Sequence, residues 1–199
     1  MKRELYVVFI FWFLYPDFSI AATLTNVNVE KQGKHYILHV KALIKADTDE
    51  VKRIVTDYEN LPSINPYLKE SKIVSVSDEE RKTVSMLTEA CILLICYKIR
   101  HIQVFHTIGA NIVYGLVIPD KSDFKYGWTR WTIQKSRNSD FSNNPMTEVI
   151  LDGDMEPDFF ILPVIGPYHL KKKILEIATI TIDNLEKEAQ KFSDIKNTD

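Results

Sequence analysis

The residue types that most often bind metals or catalyse reactions are spread along this chain. His35 and His39 share one face of a predicted strand, where the rise per residue separates them by about 13 Å, too far to share a metal ion. His101 and His106 have opposite parity in another predicted strand and therefore point to opposite faces. With His169 these are the five histidines of the chain, and their spacing predicts ordinary surface or core residues.

A row of carboxylates before the last helix is the next candidate for metal chemistry. The row alternates with apolar residues, which is typical of a strand with one solvated face, and a calcium site is the alternative. The chain also has no glycine-rich phosphate loop and no G-x-S-x-G nucleophile elbow. We therefore predict no metal site, no cofactor and no catalytic residue. The carboxylates of the row are Glu148, Asp152, Asp154, Glu156 and Asp158.

Three polar residues could act in an enzyme if they pointed into a shared cavity. Tyr126, Arg130 and Gln134 have the same parity in a predicted strand, whereas Trp131 has the opposite parity. If Trp131 faces a cavity, the three polar side chains face away from it.

The beginning of the chain has the pattern of a signal peptide. A basic start at residues 1–3 precedes an apolar run of 11 residues, and Ala21 or Ala22 offers the cleavage site. This run is shorter than the roughly 20 apolar residues that cross a bilayer. We predict a signal peptide over residues 1–22, a single ligand-binding domain over 23–199, and export, to the periplasm if the chain is bacterial. An uncleaved anchor or a buried first strand is the alternative.

The two cysteines could form a disulfide bond. The chain must turn within residues 82–107, because 26 residues without Gly or Pro exceed the usual strand length. On a straight strand the Cα atoms of Cys91 and Cys96 would lie about 17 Å apart, whereas across a four-residue hairpin loop they would face each other at bridging distance. An oxidising compartment favours the disulfide. Two free, buried thiols in a continuous or bulged strand are the alternative.

The order of predicted elements indicates an α+β chain that ends in one long helix. A first strand around the turn at Gln32 and Gly33 is followed by two short helices, and residues 167–192 form the final helix. This order predicts a helix-grip fold, in which a curved antiparallel sheet of about seven strands wraps around the C-terminal helix. The other predicted strands cover residues 70–78, 82–91, 96–107, 111–118, 124–136 and 146–156.

Three segments of the chain carry recognisable motifs. Their residues are Val51, Ile54, Val55, Asp57, Tyr58, Glu59, Asn60, Leu61, Pro62, Asn65 and Pro66; Ser122, Asp123, Phe124, Tyr126, Gly127 and Trp131; and Glu156, Pro157, Asp158, Phe159, Ile165, Gly166 and Pro167. The first segment resembles the helical opening of the START-like (SRPBCC) superfamily, which includes polyketide cyclases and coenzyme Q-binding proteins, and the other two resemble exported bacterial members. The resemblance covers roughly residues 35–190. It implies a cavity for an apolar ligand beneath the last helix. Only some branches of the superfamily add catalysis and they share no catalytic signature, so the resemblance supplies no catalytic residue for this chain.

The last helix and the strands before it each present one apolar face. A sheet with one apolar face and a helix with one apolar stripe bury both by packing together, and such packing often keeps an apolar pocket. We predict that the facing residues line a ligand cavity, and the alternative is that they fill a solid core. The predicted lining is Trp131, Ile133, Val149, Leu151 and Met155 on the sheet, and Leu170, Ile174, Ile177 and Thr181 on the helix.

Two predicted loops at one end of the sheet are apolar. Successive loops of an antiparallel meander alternate between the two ends of a sheet, which places residues 92–95, 120–123 and 159–167 together. Exposed apolar loops beside lysines suit contact with an anionic bilayer, and folding back over the cavity mouth is the alternative. The predicted membrane-contact residues are Ile92, Leu93, Leu94, Ile95, Phe159, Phe160, Lys171, Lys172 and Lys173.

These patterns together predict an exported binder or carrier of an apolar small molecule such as a lipid, quinone or isoprenoid. The alternative is a cyclase- or hydrolase-like enzyme that uses the same cavity. The expected partners are the small molecule and, transiently, a membrane. The net charge of −2 gives no electrostatic reason to expect a nucleic acid. The sequence does not indicate an oligomeric state.

Overall fold

The computed structural model describes residues 23–78, 80–137 and 145–196, so the predicted signal peptide lies outside the described residues. The described residues form eight strands and two α-helices, with short 3-10 helices at Tyr58–Ser63 and Pro119–Lys121. The strands are β1 (Thr23–Gln32), β2 (His35–Ile44), β3 (Leu68–Asp78), β4 (Arg81–Ile92), β5 (Ile95–Ile108), β6 (Ile112–Val117), β7 (Phe124–Lys135) and β8 (Thr147–Pro157). The helices are α1 (Thr48–Thr56) and α2 (Gly166–Lys196).

The strands form one antiparallel sheet that curves around α2. Their order is β1-β2-β8-β7-β6-β5-β4-β3, so the first two strands lie beside the last. On β2 every second side chain from Tyr36 to Ile44 is buried, which gives the sheet a well-defined inner face. This arrangement is the α+β helix-grip fold that the element order predicted.

The structure differs from the prediction in the number of strands. The turn at Gln32 and Gly33 separates two paired strands, β1 and β2, rather than lying within one, so the described residues contain eight strands instead of about seven. Gly33 has a φ of +61°, a left-handed conformation that glycine adopts without steric cost. The second predicted short helix is a 3-10 helix, and Pro62 lies inside it.

The apolar stripe of α2 packs against the inner face of the sheet. Its buried residues recur every three or four positions, which is the spacing of one helical face. Burial of this face stabilises the position of α2, because each large apolar side chain removed from water contributes about 1.5–3 kcal/mol. The buried residues of the stripe are Leu170, Ile174, Ala178, Ile182, Leu185 and Ala189.

A buried carboxylate fastens the C-terminal half of α2 to the end of β2. Glu186 is only 2% exposed, and its Oε1 accepts a hydrogen bond from the backbone N–H of Lys45 at 2.9 Å. Burial raises the pKa of Glu186, and the bond from the Lys45 N–H acts in the opposite direction. The bond therefore fixes the register of the helix against the sheet.

The predicted disulfide between Cys91 and Cys96 is confirmed, with the two Cα atoms 3.9 Å apart. The predicted four-residue loop is wrong, because Ile92 and Ile95 still pair across the hairpin. Only Leu93 and Leu94 form the turn, and Leu93 has a φ of +57°. The disulfide thus closes the last part of the β4–β5 hairpin directly behind its tip.

The carboxylate row lies on the outer face of β8, opposite basic side chains of the neighbouring strands. Glu148 pairs with Lys41 at 2.7 Å, and Asp154 pairs with His35 at 3.0 Å. Burial alone would raise the pKa of Asp152, but hydrogen bonds from Arg130 and His39 outweigh it and hold that pKa below its usual range. In the described residues, no three His, Cys, Asp or Glu side chains come together in a group that could hold a metal ion.

No helix in the described ranges is both long enough and apolar enough to cross a membrane.

Candidate functional site

A cavity of about 260 Å³ lies between the first half of α2 and the inner face of the sheet. Its walls come from β4, β5, β7 and β8 on one side and from α2 on the other, and most of its surface is apolar. This volume is close to the lower end of the range of about 300–1,000 Å³ that is typical of small-molecule pockets. The space is therefore suited to a compact apolar molecule.

Seven of the nine predicted lining residues border this cavity. They are Trp131, Leu151 and Met155 from the sheet, and Leu170, Ile174, Ile177 and Thr181 from α2. Ile133 and Val149 do not reach it, because both are fully buried in the packed cluster that also contains Ile182 and Leu185. Strand parity indicated the correct face for these two residues, but they lie further along β7 and β8, where the helix and the sheet are in contact.

The polar residues considered for catalysis lie on the outer face of β7. Arg130 donates a hydrogen bond to Asp152 at 2.6 Å, and Gln134 donates one to Glu148 at 2.8 Å. Tyr126 does not line the cavity, and its ring contacts His35 on the same outer face. Because Trp131 borders the cavity, these side chains face away from it, as their parity predicted.

Sequence reasoning missed the part of the cavity wall that β4 and β5 form. Ile99, His101 and Gln103 share one parity on β5, and all three line the cavity. The two polar residues interrupt the apolar alternation that marks an inward face, so the strand did not stand out. The parity of Ile99 and Phe105, both buried, was the available signal.

His101 is the most unusual polar residue of the lining. Among the described residues none donates a hydrogen bond to its side chain or accepts one from it, and its Nδ1 is buried without a partner. Desolvation lowers the pKa of His101 to about 4, and the nearby Asp123 carboxylate only partly offsets this. The imidazole is therefore neutral at pH 7, with one nitrogen able to donate and the other able to accept.

Gln103 lies two residues further along β5, beside Thr129 of β7. Thr129 Oγ1 donates a long hydrogen bond of 3.5 Å to Gln103 Oε1. Gly115 of β6 lies between them, and a Cβ atom there would be 2.7 Å from Gln103 Oε1. The glycine thus leaves room for the amide to lie on the cavity floor.

One wall of the cavity ends at an ion pair. Lys173 Nζ lies 2.8 Å from the Glu176 carboxylate and 5.0 Å from the centre of the Tyr67 ring, and Tyr67 donates a hydrogen bond to Glu176. The bond from Lys173 lowers the pKa of Glu176. Lys173 is therefore held at the cavity wall by its ion pair. The membrane prediction required a lysine that is free beside the apolar loops.

The apolar loops divide between the cavity and the surface. Ile92 is buried and borders the cavity, so it is not available for membrane contact, and Ile95 is half-buried. Phe159 also lines the cavity, with its ring 5.1 Å from that of Tyr97. The exposed apolar residues of these loops are Leu93, Leu94, Phe160, Val164 and Ile165, and the lysines beside them include the exposed Lys172 and the half-buried Lys171.

The described fold is that of START-like proteins. A protein from Thermus thermophilus is similar with a TM-score of 0.65 and 16% identity, over 79% of this chain and 99% of that one. A START superfamily protein from Mycobacterium smegmatis is similar with a TM-score of 0.60 and 20% identity, over 78% of this chain and 98% of that one. The aromatase/cyclase Zhui of a Streptomyces species is similar with a TM-score of 0.63 and 10% identity, over 78% of this chain and 94% of that one. The sequence itself matches no protein-family model and no curated protein.

Replacing Ile177 with Trp should fill the cavity. Because Ile177 borders open space, Ile177→Trp should abolish saturable binding of the apolar fluorophore N-phenyl-1-naphthylamine while changing the melting temperature little. Ile182→Trp is the matched control on the same helix, because Ile182 is fully buried in the packed cluster. Overpacking there should cost about 1–3 kcal/mol. Equal losses of melting temperature in both variants, with probe binding retained by Ile177→Trp, would contradict an open cavity.

Because His101 is held neutral in the folded protein, the free energy of unfolding should decrease as the pH is lowered from 6.5 to about 4. Its pKa is about 4 in the folded protein against 6.5 ordinarily, so between these values the unfolded chain binds a proton that the folded protein does not. The free energy of unfolding should therefore drop by up to about 1.4 kcal/mol per pH unit as pH falls through this window. Urea denaturation should show a shallower drop for His101→Phe, since other titrating groups contribute to both proteins. Parallel curves would exclude the effect.

Proposed function

We propose that this protein is exported and carries an apolar small molecule, such as a lipid, quinone or isoprenoid, in the cavity beneath α2. The observation that carries the proposal is an apolar cavity kept open inside an otherwise packed core. Folding tends to close such space, because side chains that line a void lose contacts. A ligand that occupies the space would restore those contacts.

The N-terminal apolar run and the Cys91–Cys96 disulfide both support export. Disulfides form and persist in oxidising compartments and are rare where thiols are kept reduced. The disulfide also lies directly behind the exposed β4–β5 tip. After export, the disulfide would hold β4 and β5 together next to this tip.

Exposed apolar side chains near one end of the cavity support transient docking on an anionic bilayer. Leu94 is 99% exposed and Val164 is 92% exposed, while Ile92 and Phe159, close to them in the chain, border the cavity. Large apolar groups grouped at one end of a protein are typical of membrane or partner contact. Docking at this end would bring a membrane close to the bound molecule.

The backbone at these tips adds a second argument. Leu93 and Val164 have φ values of +57° and +68°, and they are the only non-glycine residues with positive φ in the described ranges. This conformation costs a residue with a side chain roughly 1–2 kcal/mol, so glycine is the usual choice. Leu93 and Val164 are exposed and apolar despite this conformational cost, which supports a role for their side chains in contact with a membrane.

Basic residues surround the same end of the molecule. Lys31 and Lys34 lie around a surface depression that also includes Phe160, and Lys172 is exposed near the start of α2. Lys125 and the carboxylates Glu156 and Asp158 line the same depression, and Lys125 pairs with Asp158 at 3.2 Å. Each lysine close to an anionic membrane surface contributes about 1 kcal/mol of attraction. We propose that Lys31, Lys34 and Lys172, rather than Lys173, would meet the anionic surface.

A cyclase- or hydrolase-like enzyme is the alternative use of this cavity. The observation that favours it is the neutral, buried His101 close to Gln103, since a neutral imidazole is a common general base. A catalytic base is normally oriented by a second group, and no described residue makes a hydrogen bond to the His101 side chain. The carrier is therefore the better-supported function.

Extraction of the native protein should separate these two functions. Protein purified from its own cell envelope should retain an apolar compound at close to one molecule per chain, because a carrier holds its cargo. Mass spectrometry of organic extracts measures it, with Ile177→Trp purified in parallel as the empty control. An enzyme should instead release its product, so extracts without a compound, combined with turnover of an added substrate, would replace the carrier with the enzyme.

Liposome flotation tests the membrane contact. The variant Leu93→Ser, Leu94→Ser, Phe160→Ser should lose most of the binding that wild type shows to vesicles of phosphatidylglycerol and phosphatidylcholine. The matched control is Val74→Ser, Val76→Ser, Ile108→Ser, which removes three exposed apolar residues at the opposite end of the sheet. It should float like wild type. Equal flotation of all three proteins, or none by wild type, would remove membrane docking and leave the carrier proposal intact.

A further inference from the structure

We infer that the bound molecule carries one neutral polar group, a hydroxyl or a carbonyl, which His101 and Gln103 hold on the floor of the cavity. The inference rests on the proposed carrier function and narrows its ligand class. It excludes pure hydrocarbons and molecules whose buried end is a charged carboxylate or phosphate. The apolar remainder of the ligand would lie against Trp131, Ile174 and Ile177.

The two polar side chains lie close together on one strand. His101 and Gln103 are two residues apart on the inner face of β5, so their Cα atoms are about 7 Å apart. One ligand oxygen between two side chains at this spacing can reach both, because both side chains extend from the same face of one strand. The opposite wall presents Ile174 and Ile177, which fit an apolar tail.

The side chain of His101 has unused hydrogen-bonding capacity. Buried polar groups in folded proteins almost always have partners, and one without a partner calls for an explanation. The His101 side chain has none among the described residues, and its ring borders the cavity. Because Nδ1 has almost no exposed surface, the ligand would bond to the other ring nitrogen, Nε2. Within the described part of the chain, the Gln103 side chain has only the long bond from Thr129 at 3.5 Å, which leaves most of its amide available to a ligand. A ligand with a polar group would use both.

The charged side chains that border the cavity are paired away from β5. Lys173 lines the cavity, but its ammonium is paired with Glu176 at 2.8 Å on the wall away from β5. Asp154 also borders the cavity, while its carboxylate pairs with His35 on the outer face. His101 itself is neutral at pH 7, so the floor formed by β5 offers hydrogen bonds without a countercharge. A neutral polar group therefore fits this floor better than an ionised one.

Two probes of nearly equal shape test the inference. Binding of naphthalene and of 2-naphthol, which differ by one hydroxyl, is measured on the purified protein by quenching of tryptophan fluorescence. The quantity of interest is the selectivity ratio, Kd for naphthalene divided by Kd for 2-naphthol. His101→Phe should lower this ratio about tenfold, the equivalent of about 1.4 kcal/mol. Naphthalene affinity should hardly change.

A control on the same strand separates the cavity effect from general effects of the substitution. His106→Phe changes the same residue type on the outer face of β5, where His106 pairs with Glu80, and it should leave the ratio unchanged. Gln103→Leu should lower the ratio roughly threefold and gives a second test that does not depend on the folding of His101→Phe. His101→Gln should restore most of the ratio, because its amide also forms hydrogen bonds.

The outcomes distinguish this inference from the carrier function on which it rests. If His101→Phe and Gln103→Leu keep the wild-type ratio while wild type binds both probes, the polar anchor is wrong and the carrier stands. If wild type binds neither probe, both proposals fail. A ratio that falls equally in His106→Phe would show a nonspecific effect and would also overturn the anchor.

Discussion

The structure depends on the burial of one face of α2 against one face of the sheet. A helix of 31 residues with a continuous apolar stripe is unstable in water unless that stripe is buried. The apolar inner face of the sheet must likewise be buried. Wrapping the sheet around the helix satisfies both surfaces at once. The antiparallel strand order, which brings β1 and β2 next to β8, extends this cover along the helix.

The two halves of α2 then take different roles. Ile182, Leu185 and Ala189 are fully buried in the packed cluster, and Glu186 joins the helix to the end of β2. Leu170, Ile174 and Ile177 border open space instead. Because close packing supplies most of the stability, the packed half lets the other half keep a cavity that would otherwise tend to close. The cost of the empty space is thus confined to one end of the helix.

The same division arranges polar groups by depth. The outer face of β8 carries ion pairs such as Glu148 with Lys41, which water solvates and which contribute little individually. The floor of the cavity carries His101 and Gln103, where desolvation makes an unused hydrogen-bonding group costly. The exposed apolar tips, Leu94 among them, lie near the end of the cavity that Ile92 and Phe159 border. The apolar tips and the two polar side chains of β5 therefore both lie beside the same cavity.

The sequence by itself predicted the helix-grip order of elements, apart from the division of the first strand into β1 and β2. It favoured the disulfide without excluding free thiols, and it indicated the inward parity of β7, because periodicity reports the face on which a residue lies. It could not separate Trp131 from Ile133, which share that face, since only the gap between helix and sheet decides which one borders the cavity. His101 was also not recognised as inward-facing, because it and Gln103 interrupt the apolar pattern that the parity of Ile99 and Phe105 begins. The tertiary structure decided these points, because the cavity exists only where α2 and the sheet, which are remote in sequence, do not pack closely against each other.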